Sequence, residues 1–191
     1  MTDILQTLAL QADAPAGTYV GADVNPFTAK HRELFKVIKG LTGSKVGENK
    51  LHITIIFSKG VVVEASLIQP MLDVYKLPLK ARIIGAAAFD ALPSADGSRD
   101  VEVSTLVIKL ESPELMQLHA ACKDLGCTHT YPQLSPHVSL FYAVPKADCH
   151  AAVAALSEQI AALTEPQYVE LSKLYTEPIK QDWAVKNTSK R

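Results

Sequence analysis

The sequence predicts an α+β fold of two strand-helix-strand-helix-strand units set as facing lobes. Three observations predict it. Two apolar stretches, "HITIIFSK" from His52 and "HVSLFYAV" from His137, carry the same polar pattern: a histidine, then a hydroxyl residue two positions on. The two histidines are 85 residues apart, and sliding the chain by that offset aligns the segments around them as well. The chain has 191 residues, of which 48% are hydrophobic and 20% charged, so one domain over residues 1–191 can bury a full core.

Each element follows in order. Residues 1–17 are mildly apolar, begin acidic and lack a basic leader region, so a short packed helix is expected there rather than a signal peptide. "TYVGADV" from Thr18 to Val24 reads as a strand and falls on Val103 to Lys109. Phe27, Leu34, Ile38 and Leu41 form a helical stripe that Gly40 or Gly43 stops; its counterpart is Leu115, Leu118, Cys122 and Leu125. There Ser112 can cap, Pro113 suits the first turn, and Gly126 ends the helix.

The motif strands come next. Strict alternation puts Leu51, Ile53, Ile55 and Phe57 on one face and His52, Thr54, Ile56 and Ser58 on the other. It likewise sets His137 and Ser139 against Val138 and Leu140, with Tyr142 on the face opposite His137 as a structural residue. "EASLIQPMLDVYK" is a weak helix with Pro70 at its start or break, and it matches "DCHAAVAALSEQIAAL", where Val153, Leu156, Ile160 and Leu163 share a face. "LKARIIGAAAFDAL" and "EPQYVELSKLYTE" close the two units as strands. Lobe one therefore runs over about 18–92 and lobe two over about 101–177, joined by a turn at Pro93 to Asp100 and followed by a polar tail at 186–191.

Composition narrows the function. A net charge of -1 gives no general attraction to nucleic acid or anionic membrane, and no apolar run is long enough to span a bilayer. Cys122, Cys127 and Cys149 are odd in number and lack CxxC spacing, which argues against a disulfide framework and for a reducing cytoplasm. Cys127, His129, Cys149 and His150 match no compact zinc pattern, so no metal is expected. Phosphate-loop, dinucleotide and nucleophile-elbow motifs are absent from the sequence.

Two histidines across a cleft suit phosphodiester cleavage. A neutral imidazole accepts the proton of the attacking hydroxyl, and an imidazolium protonates the leaving oxygen. The hydroxyls of Thr54 and Ser139 can donate to the non-bridging phosphate oxygens. His31 and His119 fall in predicted helices, His150 near the start of another, and His129 in a loop before the second motif.

The paired motifs, "HITI" at His52 and "HVSL" at His137, resemble those of the 2H phosphoesterase superfamily, over roughly Thr18 to Glu177. The resemblance implies a bilobal fold with antiparallel sheets lining a central groove, and His52, Thr54, His137 and Ser139 as the catalytic set. Within the superfamily the chain is most similar to the phage anti-CBASS nucleases, through "GTYVGADV", "HITIIFSKG" and "YTEPIKQDWA". That likeness implies cleavage of 3′-5′ cyclic di- or trinucleotide messengers without a cofactor, in the cytoplasm of a bacterial host. Tyr19, Glu177 and Trp183 would then bind the bases, by stacking or through a carboxylate. A monomer acting on neither polymeric nucleic acid nor membrane is the simplest expectation. Two alternatives remain open at this level: a 2′,3′-cyclic phosphodiesterase acting on RNA ends, and a non-catalytic cyclic-nucleotide sponge. The sequence does not distinguish the base from the acid.

Overall fold

A computed structural model describes residues 15–25, 51–90, 102–131 and 133–180. The expected helix from Phe27, the turn at 93–100, Trp183, the polar tail and residues 1–14 of the expected N-terminal helix lie outside the described residues, while residues 15–17 of that helix are instead the start of a strand. Six strands and three helices are described. They are β1 (Pro15–Val24), β2 (His52–Lys59), α1 (Ala65–Leu72), β3 (Leu79–Asp90), β4 (Val103–Glu111), α2 (Pro113–Asp124), β5 (His137–Pro145), α3 (Lys146–Ala161) and β6 (Tyr168–Lys180).

All strand pairs are antiparallel, in one sheet of order β2-β1-β6-β3-β4-β5. This departs from the expectation in two respects: one six-stranded sheet stands where separate sheets were expected in two lobes, and the last strands change places. β6, from the second unit, pairs with β1, while β3, from the first, pairs with β4. The two units thus exchange their last strands. A short β3-β6 ladder, Leu79–Arg82 against Leu171–Tyr168, joins the halves. The motif strands are the two edges of the sheet, and the sheet curls until β2 and β5 approach each other.

Local chemistry accounts for the helices. Ser112 caps α2 by accepting from the Leu115 N–H at 3.3 Å, with Pro113 in the first turn. Leu115, Leu118 and Cys122 are buried as the stripe predicts, whereas Leu125 stands at the C-terminal cap, half exposed before Gly126 at φ 98°. In α3 the buried set is Cys149, Ala152 and Leu156; Leu163 lies past the helix end and is exposed. α1 runs through Pro70 without a break.

The core lies between these helices and one face of the sheet. It contains Val20, Ala22, Ile53, Ile68, Leu106, Ile108, Leu118, Val138, Leu156 and Leu171. Burying such side chains contributes about 1.5–3 kcal/mol each. The edge of β2 is covered by the loop after α2. The Thr130 N–H donates to the Phe57 carbonyl at 2.9 Å, and the Thr128 N–H to Ser58 Oγ at 2.9 Å. The first of these bonds occupies a backbone carbonyl that an open edge would leave to pair with another chain, and the second ties the loop down through a side chain.

Candidate active site

The motif strands each carry one extra residue beside their hydroxyl. Val20 pairs with Ile56 but Gly21 with Thr54, so Ile55 is the extra residue in β2. Leu106 pairs with Phe141 but Val107 with Ser139, so Leu140 is the extra residue in β5. The two bulges fall at the same 85-residue offset as the histidines. A bulge reverses the alternation beyond it. Ile55 and Ile56 are therefore both in the core, Ser58 is buried on the core side with Thr18, and Phe57 joins Tyr19 and Ile179 in a separate cluster. Strict alternation had set Ile56 and Ser58 beside His52 and had set Phe57 with Ile53. The bulge corrects all three.

Tyr142 is corrected for the same reason. Phe141 takes the core position opposite Leu106, which leaves Tyr142 on the side of His137 and Ser139, 56% exposed. The partner strands are also one residue off the expected frame. Gly21 and Val107, which face the two hydroxyl residues, are 86 positions apart rather than 85.

The face opposite the core thus gathers His52, Thr54, His137 and Ser139, the four residues expected to do the chemistry, all half-buried. His52 stands opposite Asp23, and His137 opposite Lys109. His137 Nδ1 lies 2.8 Å from the Ser135 carbonyl oxygen, and Phe89 packs edge-on against its ring at 4.8 Å. Burial pushes the His137 imidazole below its ordinary value. The Ser135 carbonyl opposes that shift, and the charge of nearby His52 adds to it. The two imidazoles are therefore close enough to influence each other.

Beside His52 an open cavity of about 180 Å³ is lined by Asp23, His52, Lys173, Tyr175 and Glu177. Glu177 is exposed there, as a ligand-binding carboxylate needs to be. Tyr19 differs from expectation. Its ring is 9% exposed, packed with Phe57 and Ile179, and its hydroxyl lies 3.2 Å from Thr54 Oγ1. It touches Thr54 but offers no open face for a base. The sequence reading missed Asp23, Tyr175, Lys173 and Phe89. Asp23 carried a signal, since it follows Tyr19 by an even spacing on the same strand. The others depend on which strands become neighbours.

Of the remaining histidines His31 lies outside the described residues, and the other three have structural partners. His119 Nδ1 donates to the Ile55 carbonyl at 2.9 Å, and His129 Nδ1 accepts from the Phe57 N–H at 3.3 Å. His150 Nε2 lies 3.3 Å from Asp90. The three cysteines are buried and free. Among the described residues no helix is long and apolar enough to cross a membrane.

Comparison with known proteins agrees with the sequence resemblance. The family described as "Anti-CBASS protein Acb1" matches residues 16–186. The Acb1 protein of Vibrio phage KVP40 is 25% identical over 172 residues, which cover 90% of this chain and 93% of that protein. The Acb1 protein of Enterobacteria phage T4 is 27% identical over 175 residues, covering 90% and 94%. Among solved structures the fold is similar to Kluyveromyces marxianus Usb1 with uridine monophosphate, at 9% identity, 85% and 98% coverage and a TM-score of 0.48. It is also similar to Escherichia coli LigT complexed with 3′-AMP, at 16% identity, 87% and 97% coverage and a TM-score of 0.43.

Proposed function

The chain belongs to the anti-CBASS protein Acb1 family, and from that premise we propose that it is a phosphodiesterase that opens 3′-5′ cyclic di- or trinucleotide messengers and so blunts CBASS immunity. The observation that carries this reading is the approach of His52 to His137, each with a hydroxyl residue two positions on, on the two edges of one curled sheet.

The reaction follows from those groups. The ribose 2′-hydroxyl attacks the neighbouring phosphorus as one histidine takes its proton. The bond from phosphorus to the 5′ oxygen breaks as the other histidine supplies a proton to that oxygen. A 2′,3′-cyclic phosphate remains. Thr54 and Ser139 donate to the non-bridging oxygens, where negative charge is concentrated. The two imidazoles supply both proton transfers.

The surroundings of the histidines divide these roles. His137 holds its Nδ1 proton against the Ser135 carbonyl, which leaves Nε2 with a free lone pair, and burial favours the neutral ring. It is the base. His52 shares its cavity with the carboxylates of Asp23 and Glu177 and the ammonium of Lys173, a setting with net negative charge. It is the acid. Tyr142, exposed on the His137 side, provides the aromatic face for a base that buried Tyr19 lacks, and Glu177 accepts from a base edge.

The test is incubation of the purified protein, in excess EDTA, with cyclic di- and trinucleotides and an RNA bearing a 2′,3′-cyclic phosphate, resolved by mass. Opening of the cyclic messengers, lost in His52→Ala and His137→Ala, is the expected result. Turnover of the RNA end alone would move the protein to RNA processing. Tight binding without turnover would make it a sponge.

A further inference from the structure

Gly21 lies between the two residues that flank it in the sheet, Thr54 on β2 and Tyr175 on β6. A Cβ at Gly21 would stand 2.7 Å from Tyr19 Cε1, 2.9 Å from the Tyr19 hydroxyl oxygen and 3.0 Å from Tyr175 Cζ. The space a side chain would take is filled by the Tyr19 phenol, which lies over its own strand. A glycine inside a strand often marks such a close approach.

From that slot the Tyr19 hydroxyl reaches Thr54 Oγ1 at 3.2 Å, and the Tyr175 ring stands beside it with its centroid 6.0 Å from that of Tyr19. The other half of the site is built differently. Ser139 stands opposite Val107, and Val107 opposite Ala87, so neither the slot nor the tyrosines recur there.

We propose that Tyr19 and Tyr175 are positioning residues, forming a hydroxyl relay admitted by Gly21 that aims the Thr54 hydroxyl at the phosphate. A threonine hydroxyl has one hydrogen and two lone pairs, and it rotates to suit its partners. Tyr175 donates to Tyr19, and Tyr19 donates to Thr54 Oγ1. That engages a lone pair of Thr54 and leaves its own hydrogen for a non-bridging phosphate oxygen. Burial raises both phenols above their ordinary values, so both keep the protons the relay needs. A donor fixed in advance needs no reorganisation when charge develops.

The inference rests on the proposed role of Thr54 as a phosphate donor, and two measurements separate it from that role. The first needs no substrate. Three-bond couplings of the Thr54 methyl carbon report its χ1 rotamer by NMR. One rotamer is expected in the wild type and averaging in Tyr19→Phe, which keeps the ring and removes the hydroxyl. The second is a kinetic cycle. Tyr19→Phe should lower kcat about tenfold with KM unchanged. Thr54→Val should cost about a hundredfold in the wild type but only about tenfold in the Tyr19→Phe background, the mark of coupled residues.

A Thr54 rotamer that stays single in Tyr19→Phe, or a Thr54→Val cost equal in both backgrounds, overturns the relay. A rotamer that loosens while Thr54→Val costs nothing in the wild type supports the relay and removes the phosphate role instead.

Discussion

His137 Nδ1 is 2.8 Å from the carbonyl oxygen of Ser135, two residues before it. A carbonyl only accepts, so Nδ1 carries the proton and Nε2 is the free base. In the proposed reaction this contact and the carboxylates beside His52 distinguish two histidines that the sequence presents as equals.

The division of labour predicts a rescue experiment. A sulfur at the bridging 5′ position leaves without protonation. On that substrate His52→Ala should return to within about tenfold of wild type, while His137→Ala stays about 100–10,000-fold slower. Rescue of His137→Ala alone would exchange the roles.

The acid limb of the pH profile reports the base. The lowered pKa of His137 keeps its ring neutral to lower pH than an ordinary histidine. The kcat/KM should therefore hold as pH falls through about 6.5 and decline only below it. A limb at or above that value would contradict His137 as the base.

Tyr142 predicts a binding defect. Tyr142→Ala should weaken affinity for a cyclic nucleotide by about 1–3 kcal/mol, and Tyr142→Phe should preserve it. Calorimetry in the His137→Ala background, where turnover is expected to be slow, measures both. Unchanged affinity in Tyr142→Ala would return that residue to a structural role.

The strap over β2 predicts a stability loss. Ser58 is fully buried and holds both the N–H and the hydroxyl of Thr128. Ser58→Ala leaves that N–H without its acceptor and should cost about 1–3 kcal/mol in urea unfolding.

His129 gives the same strap an acid sensitivity. Burial, then the charges of His119 and Lys123, push its imidazole down to about 4. Between that value and about 6.5 the unfolded chain takes up a proton that the folded chain refuses, so stability falls as pH falls through this window. The urea midpoint should drop across it in wild type and flatten in His129→Gln.

The legible parts of this protein were those set by short-range pattern. The His-x-Thr and His-x-Ser strands, the 85-residue offset, the Ser112 cap and the α2 stripe were all readable, because alternation and helical period act over a few residues. The bulges at Ile55 and Leu140 were not readable. An extra residue in a uniformly apolar strand leaves the pattern unchanged, yet it moves Phe57 and Tyr142 to the other face.

The sequence by itself determined the paired pattern on which the proposed chemistry rests: two histidines and two hydroxyls in repeated strands, without a competing motif. Only the tertiary structure decided what surrounds them. β6 left its own unit to lie beside β1, bringing Tyr175, Lys173 and Glu177 to His52, while β3 brought Phe89 to His137. Strand pairing is chosen by the whole core and by loop closure over long separations, and no local preference in β3 or β6 encodes that exchange.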